Sequence, residues 1–285
     1  MTNNVYSIIS ENLPNMSKSQ RGIAKYIMSN TESVPFFTVG QLAKNVGVSE
    51  ATVVRFATFL GYSGYPEFQK ALQEAVRKQL TTVDRLRISD DVYKENKAIF
   101  EIFQEDISRI KSMARQLDVD AFHQAVDLIV NAKRIFIIAN RSAVSIGSFL
   151  EFYFDVLFEN TELIRNPYGI SEKLFRLNED DVVVGLSFSR YTRNTVEAVS
   201  FAKDRGAKVV AITDHMLSPL KPYADVTLTA RSDMPSFIDS FVAPLSLINA
   251  LIVAIGKRKR GQIEKHLEEL EEVWDRFNIF NKDDQ

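Results

Sequence analysis

A series of apolar runs, each followed by a helix-like stretch, decides the architecture of the second half of this chain. "RIFIIA" (134–139) and "DVVVGLSF" (181–188) are continuous rather than alternating, as strands covered on both faces are. "KVVAITD" (208–214) repeats that pattern, "TELIR" (161–165) is a weaker version of it, and "DVTLT" (225–229) alternates in polarity like an edge strand. Helices are predicted over Ala121–Val130, over "SAVSIGSFLEFYFDVLF" and over "TVEAVSFAKDR", the last stopped by Gly206 as a C-cap. Two more, Ser236–Ile255 and Gln262–Phe277, finish the chain. Strands alternating with helices imply an α/β fold with a five-stranded, doubly wound parallel sheet, because a parallel connection needs a crossover. Ligands of such sheets sit beyond the carboxyl ends of the strands, where the strand order reverses.

At 285 residues the chain exceeds the usual size of one domain, which predicts two. The net charge of -2 speaks against a protein coated in nucleic acid, but a sum over domains hides any contrast between them. Up to Leu80 there are eight Lys and Arg against five Glu and no Asp, a mildly basic segment in an acidic chain. The absence of cysteine excludes disulfides, thiolate zinc sites and a cysteine nucleophile. No basic start followed by an apolar block marks the amino terminus, and the most apolar stretch, Phe241–Ile255, is shorter than the roughly 20 residues a bilayer demands. A cytoplasmic protein with no membrane partner is expected.

The first 80 residues read as an all-α domain. Ser17 and Gln20 have capping-box spacing, and Ile23, Ala24, Ile27 and Met28 form an apolar stripe behind them. Pro35 ends that unit and a second begins near Thr38. The stretch from Lys78 to Leu117 contains no Gly or Pro, and its apolar residues at 99, 102, 103, 107 and 110 suit an amphipathic helix that links two domains or packs against a partner chain. The expected boundaries are therefore 1–77, a helical linker 78–117, and 118–285.

"TVGQLAKNVGVSEATVVRFATFLGY" (Thr38–Tyr62) carries the constraints of two helices crossing at a tight turn. Leu42, Ala43 and Val46 bury one face, Gly47 supplies positive φ, Val48 plugs the turn, Ser49 caps the next helix, and Val53 and Phe56 return to the core. A helix-turn-helix built this way sends its second helix into the DNA major groove, with Ser49, Glu50, Thr52 and Arg55 projecting outward. Arg55 suits a bidentate contact to guanine, Ser49 and Thr52 suit phosphate or base edges, and Lys44 falls near the backbone. A helical hairpin that binds nothing satisfies the same pattern. The continuation "RFATFLGYSGYPEFQKAL" breaks the tie: from Asn15 to Arg77 the sequence resembles the amino-terminal domain of the RpiR/MurR family of bacterial transcriptional regulators, which carries an "LA…GVSeaTvvRFa..LGy.Gy.eF" pattern.

That family joins its helix-turn-helix to a sugar isomerase (SIS) domain of flavodoxin-like topology, and the second half is similar to one. "RIFIIANRSAVSIGSFLEFYF" matches its first strand, loop and helix, and "DVVVGLSFSRYTRNTVEAVSFAKDRGAKVVAITD" its central stretch. The resemblance implies that Ser187, Ser189 and Thr192 hold the phosphate of a sugar phosphate, with Ser142 and its neighbours Asn140 and Arg141 contributing from the first loop. Hydroxyls and free N–H groups at a helix start suit an anion, although Ser and Thr there also serve as ordinary caps. Two departures stand out. The first loop is usually glycine-rich, whereas here it reads Ala139-Asn140-Arg141-Ser142, and the glycine of the second loop is replaced by Arg190. Arg190 lacks the backbone freedom of glycine; it either reaches inward as an extra anion clamp, fills the pocket, or faces solvent.

The isomerases of this fold family place a glutamate as base near the penultimate helix. Here "ARSDMPSFIDS" offers Asp233 and Asp239 but no Glu, and His215 is the one histidine near the expected pocket. No pair of histidines or carboxylates has metal-ligand spacing. The sequence thus points to a non-enzymatic regulator with no cofactor or metal. Its expected partners are double-stranded DNA bearing a palindromic operator, a sugar phosphate or other acidic metabolite as effector, and copies of itself in a homodimer or homotetramer. The alternative is a phosphosugar isomerase whose helical domain serves for oligomerisation.

Overall fold

The computed structural model describes residues 5–30, 34–77, 82–83, 85–86, 98–158, 160–165, 170–234 and 236–280; the remainder of the expected linker, 78–81, 84 and 87–97, lies outside the described residues. Two compact units emerge, Met1–Arg87 and Ile88–Gln285.

The first unit packs α1 (Val5–Asn12), α2 (Lys18–Ser29), α3 (Val39–Val46), α4 (Glu50–Phe59) and α5 (Tyr65–Arg77) around one core. Local chemistry starts the helices where the sequence places them. Ser17 and Gln20 close a capping box on α2, and Thr38 and Gln41 close another on α3. Ile23, Ala24, Ile27, Leu42, Val53, Phe56 and Phe68 are buried, whereas Met28, expected on the same stripe, is 41% exposed, one position past the edge of the buried face. Tyr65 and Gln69 both donate to the Phe37 carbonyl (2.7 and 2.8 Å) and Gln73 donates to that of Pro35, so α5 pins the segment that leads into α3. Burial lifts the Tyr65 phenol to about 12.

In the second unit α6 (Ala98–Gln116) and α7 (Val119–Val130, capped by Asp118) precede the sheet. β1 (Arg134–Ala139), α8 (Val144–Leu157), β2 (Thr161–Ile164), α9 (Ile170–Leu174), β3 (Asp181–Leu186), α10 (Arg193–Asp204), β4 (Lys208–Thr213), β5 (Val226–Thr229), α11 (Val242–Arg258) and α12 (Arg260–Phe277) complete it. All strands are parallel, in the order β2-β1-β3-β4-β5. Side chains alternate across the sheet, as the strand period demands. Ile135, Ile137, Val182 and Val184 pack with α7, α8 and α11 on one face, while Phe136, Ile138, Val183 and Val209 pack with α9 and α10 on the other. Covering both faces is what makes β1 and β3 continuous apolar runs. At the amino ends of these two inner strands, fully buried Asp181 receives both arms of Arg134 (2.8 and 2.6 Å), which fixes the start of β3 against that of β1.

The helix expected from Ser236 begins only at Val242. Residues 236–241 instead fold back as a loop: Ser240 N–H donates to the Ser232 carbonyl (2.8 Å) and its hydroxyl donates to Asp106 of α6 (2.6 Å). These bonds replace the first turns that the helical pattern implies.

Candidate functional site

The helix-turn-helix geometry is present in α3 and α4. Gly47, the last-turn C-cap of α3, has φ +76, and Val48 packs half-buried against the core. Ser49 then caps α4, its Oγ accepting from Thr52 N–H at 3.3 Å. Ser49 Oγ also meets Thr52 Oγ1 at 2.8 Å, and Arg55 Nη2 donates to Thr52 Oγ1 at 3.4 Å. Residues 49, 52 and 55 lie three apart, so this is a polar row on one helix face, opposite buried Val53, Phe56 and Ala57. Ser49, Arg55 and Lys44 are exposed and Thr52 is half-buried. Glu50 is exposed as well, but its carboxylate folds back over Gly40, where a Cβ would come within 2.7 Å of Oε1. The positive end of the α3 dipole favours it there.

The second candidate site lies at the carboxyl ends of β1 and β3, the neighbours from which the strand order runs in opposite directions. After β1 the chain enters a short 3-10 turn, Arg141–Ala143, with Arg141 at φ +56. After β3 it runs through Ser187, Phe188, Ser189, Arg190 and Tyr191 to Thr192, the N-cap of α10. A hydrogen bond joins the loops: Asn140 Nδ2 donates to Thr195 Oγ1 (2.9 Å), which also meets Thr192 Oγ1 (2.7 Å). Occupied in this way, the Thr192 hydroxyl gives no cap to the first turn of α10. Ser187 is buried, its carbonyl accepting from Thr213 Oγ1 (2.7 Å). Phe188 wedges inward against Phe241, ring centroids 5.2 Å apart. Ser142, Arg141 and Arg190 are exposed at the rim.

Arg190 holds φ at +64, the left-handed conformation that glycine adopts without cost. The backbone therefore adopts a glycine-like turn with an arginine in it, and Arg190 is exposed.

One residue that the sequence did not single out organises this loop. Asp214, directly after β4, accepts from Ser189 N–H (3.1 Å) and Ser189 Oγ (2.5 Å) on Oδ2, and from Tyr191 OH (2.6 Å) on Oδ1. Burial, the Asp214 charge and the hydrogen bond to it push the Tyr191 phenol far above its ordinary value of 10. An acidic residue closing an apolar strand at the ligand end of the sheet was the signal available. Nearby, His215 Nδ1 accepts from Leu217 N–H (3.0 Å), and Asp233 is held by both arms of Arg231 (2.8 and 2.7 Å).

A groove of about 560 Å3 lies elsewhere, at the amino ends of β3 and β4. Asp120, Asp127, Glu179 and Asp180 line it beside His123 and Lys208, an acidic wall that disfavours an anion. Among the described residues no cluster of three or more His, Asp or Glu could hold a metal, and no helix is long and apolar enough to cross a membrane.

Comparison with known proteins matches residues 3–79 to the helix-turn-helix domain of the rpiR family and residues 128–254 to the SIS domain. The HTH-type transcriptional regulator HexR of Escherichia coli is 26% identical over 95% of this chain and 94% of its own length. An uncharacterised HTH-type transcriptional regulator of Clostridium perfringens is 26% identical over 88% and 92%. Among solved structures, the sugar isomerase domain of an RpiR transcription factor from Sphaerobacter thermophilus is 25% identical with a TM-score of 0.60, covering 62% of this chain and 99% of that one. The Vibrio vulnificus NanR protein, complexed with ManNAc-6P, shares the fold over 96% of this chain and 99% of its own, with a TM-score of 0.60 and 23% identity.

Proposed function

Because the chain belongs to the rpiR family of helix-turn-helix transcriptional regulators and carries a SIS domain, we propose that it reads a palindromic DNA operator through α4 and that an anionic metabolite bound between the loops after β1 and β3 changes its affinity for that operator. The meeting of those loops carries the proposal: Asn140, Thr192 and Thr195 form one hydrogen-bonded unit beside the uncapped start of α10, with Ser142, Ser187 and Ser189 around it. Hydroxyl and N–H donors at a helix start suit a phosphate, and Arg141 and Arg190 at the rim add positive charge. The NanR complex with ManNAc-6P makes a phosphorylated sugar the first effector class to try. The protein acts in the cytoplasm as a homodimer or homotetramer, setting two recognition helices about 34–36 Å apart. The carboxylates and the histidine near the loops are engaged, Asp233 by Arg231, Asp214 by Ser189 and Tyr191, and His215 Nδ1 by Leu217 N–H, which supports an effector that is bound and not turned over.

The test is selection of duplexes from a random pool with the full-length protein, then anisotropy titrations with and without hexose and N-acetylhexosamine 6-phosphates. Arg55→Ala should weaken binding to the selected duplex by about 1–3 kcal/mol. An active sugar phosphate should shift operator affinity by about 5–150-fold, a shift that Ser189→Ala removes. Failure to enrich any sequence, equal binding by Arg55→Ala, or turnover of a ketose or aldose phosphate overturns the proposal.

A further inference from the structure

Ser189 is the centre of the expected anion site, yet both of its donors are already spent on a carboxylate. Its N–H and its hydroxyl converge on Asp214 Oδ2, at 3.1 and 2.5 Å. A serine hydroxyl carries one proton, so while it donates to Asp214 it offers an incoming phosphate only lone pairs. The phosphate would also meet a like charge within contact distance, which repels it.

The carboxylate is held from more than one side. Tyr191 OH donates to Oδ1 at 2.6 Å, while the Thr213 hydroxyl, 3.3 Å from Oδ1, gives its one proton to the Ser187 carbonyl at 2.7 Å. Asp214 is only half-buried, so it has a route outward once those bonds break. The left-handed turn at Arg190 lies between the two residues that donate to it, Ser189 and Tyr191. Loop and carboxylate form one closed unit in which Asp214 stands where a ligand anion would.

From this geometry, and resting on the anion-site assignment proposed above, we infer that Asp214 is a tethered competitor of the effector: its carboxylate closes the Ser189 donor pair, an arriving anion must displace it, and Tyr191 sets how firmly it is held. Asp214 thereby sets the affinity threshold of the site and discriminates between anions that can take both Ser189 donors and weaker ones that cannot. It is a positioning and specificity residue, not a ligand of the effector.

The experiment is a binding titration of the full chain with inorganic phosphate and glucose 6-phosphate as anionic probes and glucose as the neutral one, read by calorimetry and amide NMR shifts. Asp214→Asn should tighten phosphate and glucose 6-phosphate by about tenfold while leaving glucose unchanged, because only the charged competitor has been removed. Tyr191→Phe, which keeps the carboxylate but frees it, should tighten the same anions by about two- to fivefold, and it serves as the test if Asp214→Asn does not fold. Ser189→Ala should abolish anion binding in every background. If Ser189→Ala abolishes binding but neither Asp214→Asn nor Tyr191→Phe strengthens it, Asp214 is scaffolding and the competitor idea is wrong. If Ser189→Ala leaves anion binding intact, or no variant binds any anion, the anion-site assignment itself falls and the competitor falls with it.

Discussion

Gly185 sits near the carboxyl end of β3, two residues before the hydroxyl loop, and a Cβ there would lie 2.7 Å from Val199 Cγ2 and 3.3 Å from Leu220 Cδ2. Both neighbours are fully buried. Val199 is β-branched and helical, so it has essentially one χ1 well and cannot swing aside. Gly185→Ala therefore either compresses that contact or lifts α10 away from the sheet, at a cost of about 2 kcal/mol within the usual range for overpacking. For a unit of this size that corresponds to a fall in Tm of about 4–8 °C. Urea unfolding of Gly185→Ala, Val199→Ala and the double variant separates this cause from others. Val199→Ala alone opens a cavity, and the methyl group added at position 185 would occupy the space it leaves. The double variant should then cost less than the sum of the singles by about 1–2 kcal/mol. Additivity to within about 0.5 kcal/mol would show that the two side chains do not compete for one space, and would refute the steric account. Since α10 starts at the site and carries Thr195, Gly185→Ala should also loosen the Asn140–Thr195 bond and blunt the effector response, which Val199→Ala should partly restore.

A methyl group at Gly47 meets nothing within 4 Å, so the cost of Gly47→Ala is that of a left-handed alanine alone, about 1–2 kcal/mol in thermal unfolding of the first unit, and a much larger loss would expose a clash the geometry does not contain. Asp225 is raised by burial, but hydrogen bonds from Lys203 and Val209 N–H more than offset this and hold its carboxyl below the ordinary 3.8. A depressed carboxyl contributes stability that is complete above its unfolded value and is lost as pH falls through the folded one. Lys203→Met should accordingly move the acid-unfolding midpoint to higher pH, while leaving stability near pH 4 less dependent on pH; an unchanged midpoint contradicts the assignment.

What the sequence disclosed and what it hid have separate physical causes. β1, β3 and β4 were legible because a strand buried on both faces must be apolar throughout, and α3–α4 because a tight crossing demands a glycine, a cap and small residues at fixed offsets. These are local requirements, written where they act. The late start of α11 was not legible, because Ser240 is taken from the helix by Ser232 and by Asp106 on a helix more than a hundred residues earlier. Asp214 escaped for a like reason. Its role is set by which loop folds over it from the neighbouring strand, and no periodicity along β4 records that. Among the expected site residues, Ser49, Thr52 and Arg55 fall on one row, and Asn140 and Thr192 meet through Thr195.

From the sequence, an arginine where the family resemblance implies a glycine is compatible with a clamp, a filled pocket or a solvent-facing side chain. In the structure the turn survives at φ +64 with a bulky residue in it, a conformation that costs on the order of 1–3 kcal/mol and persists only where its surroundings over-determine it. Those surroundings are Ser189 and Tyr191 on either side, both fastened to Asp214. The strained turn and the internal carboxylate therefore sustain each other. With Asp214 in place, both neighbours of Arg190 are tied to it; on the competitor proposal, an anion that takes Ser189 would weaken that constraint on the turn. A glycine at that position would be content with or without the constraint. On that proposal, the strained turn at Arg190 and the bonds to Asp214 would be released together, and displacing a single carboxylate would reshape the segment that leads directly into α10.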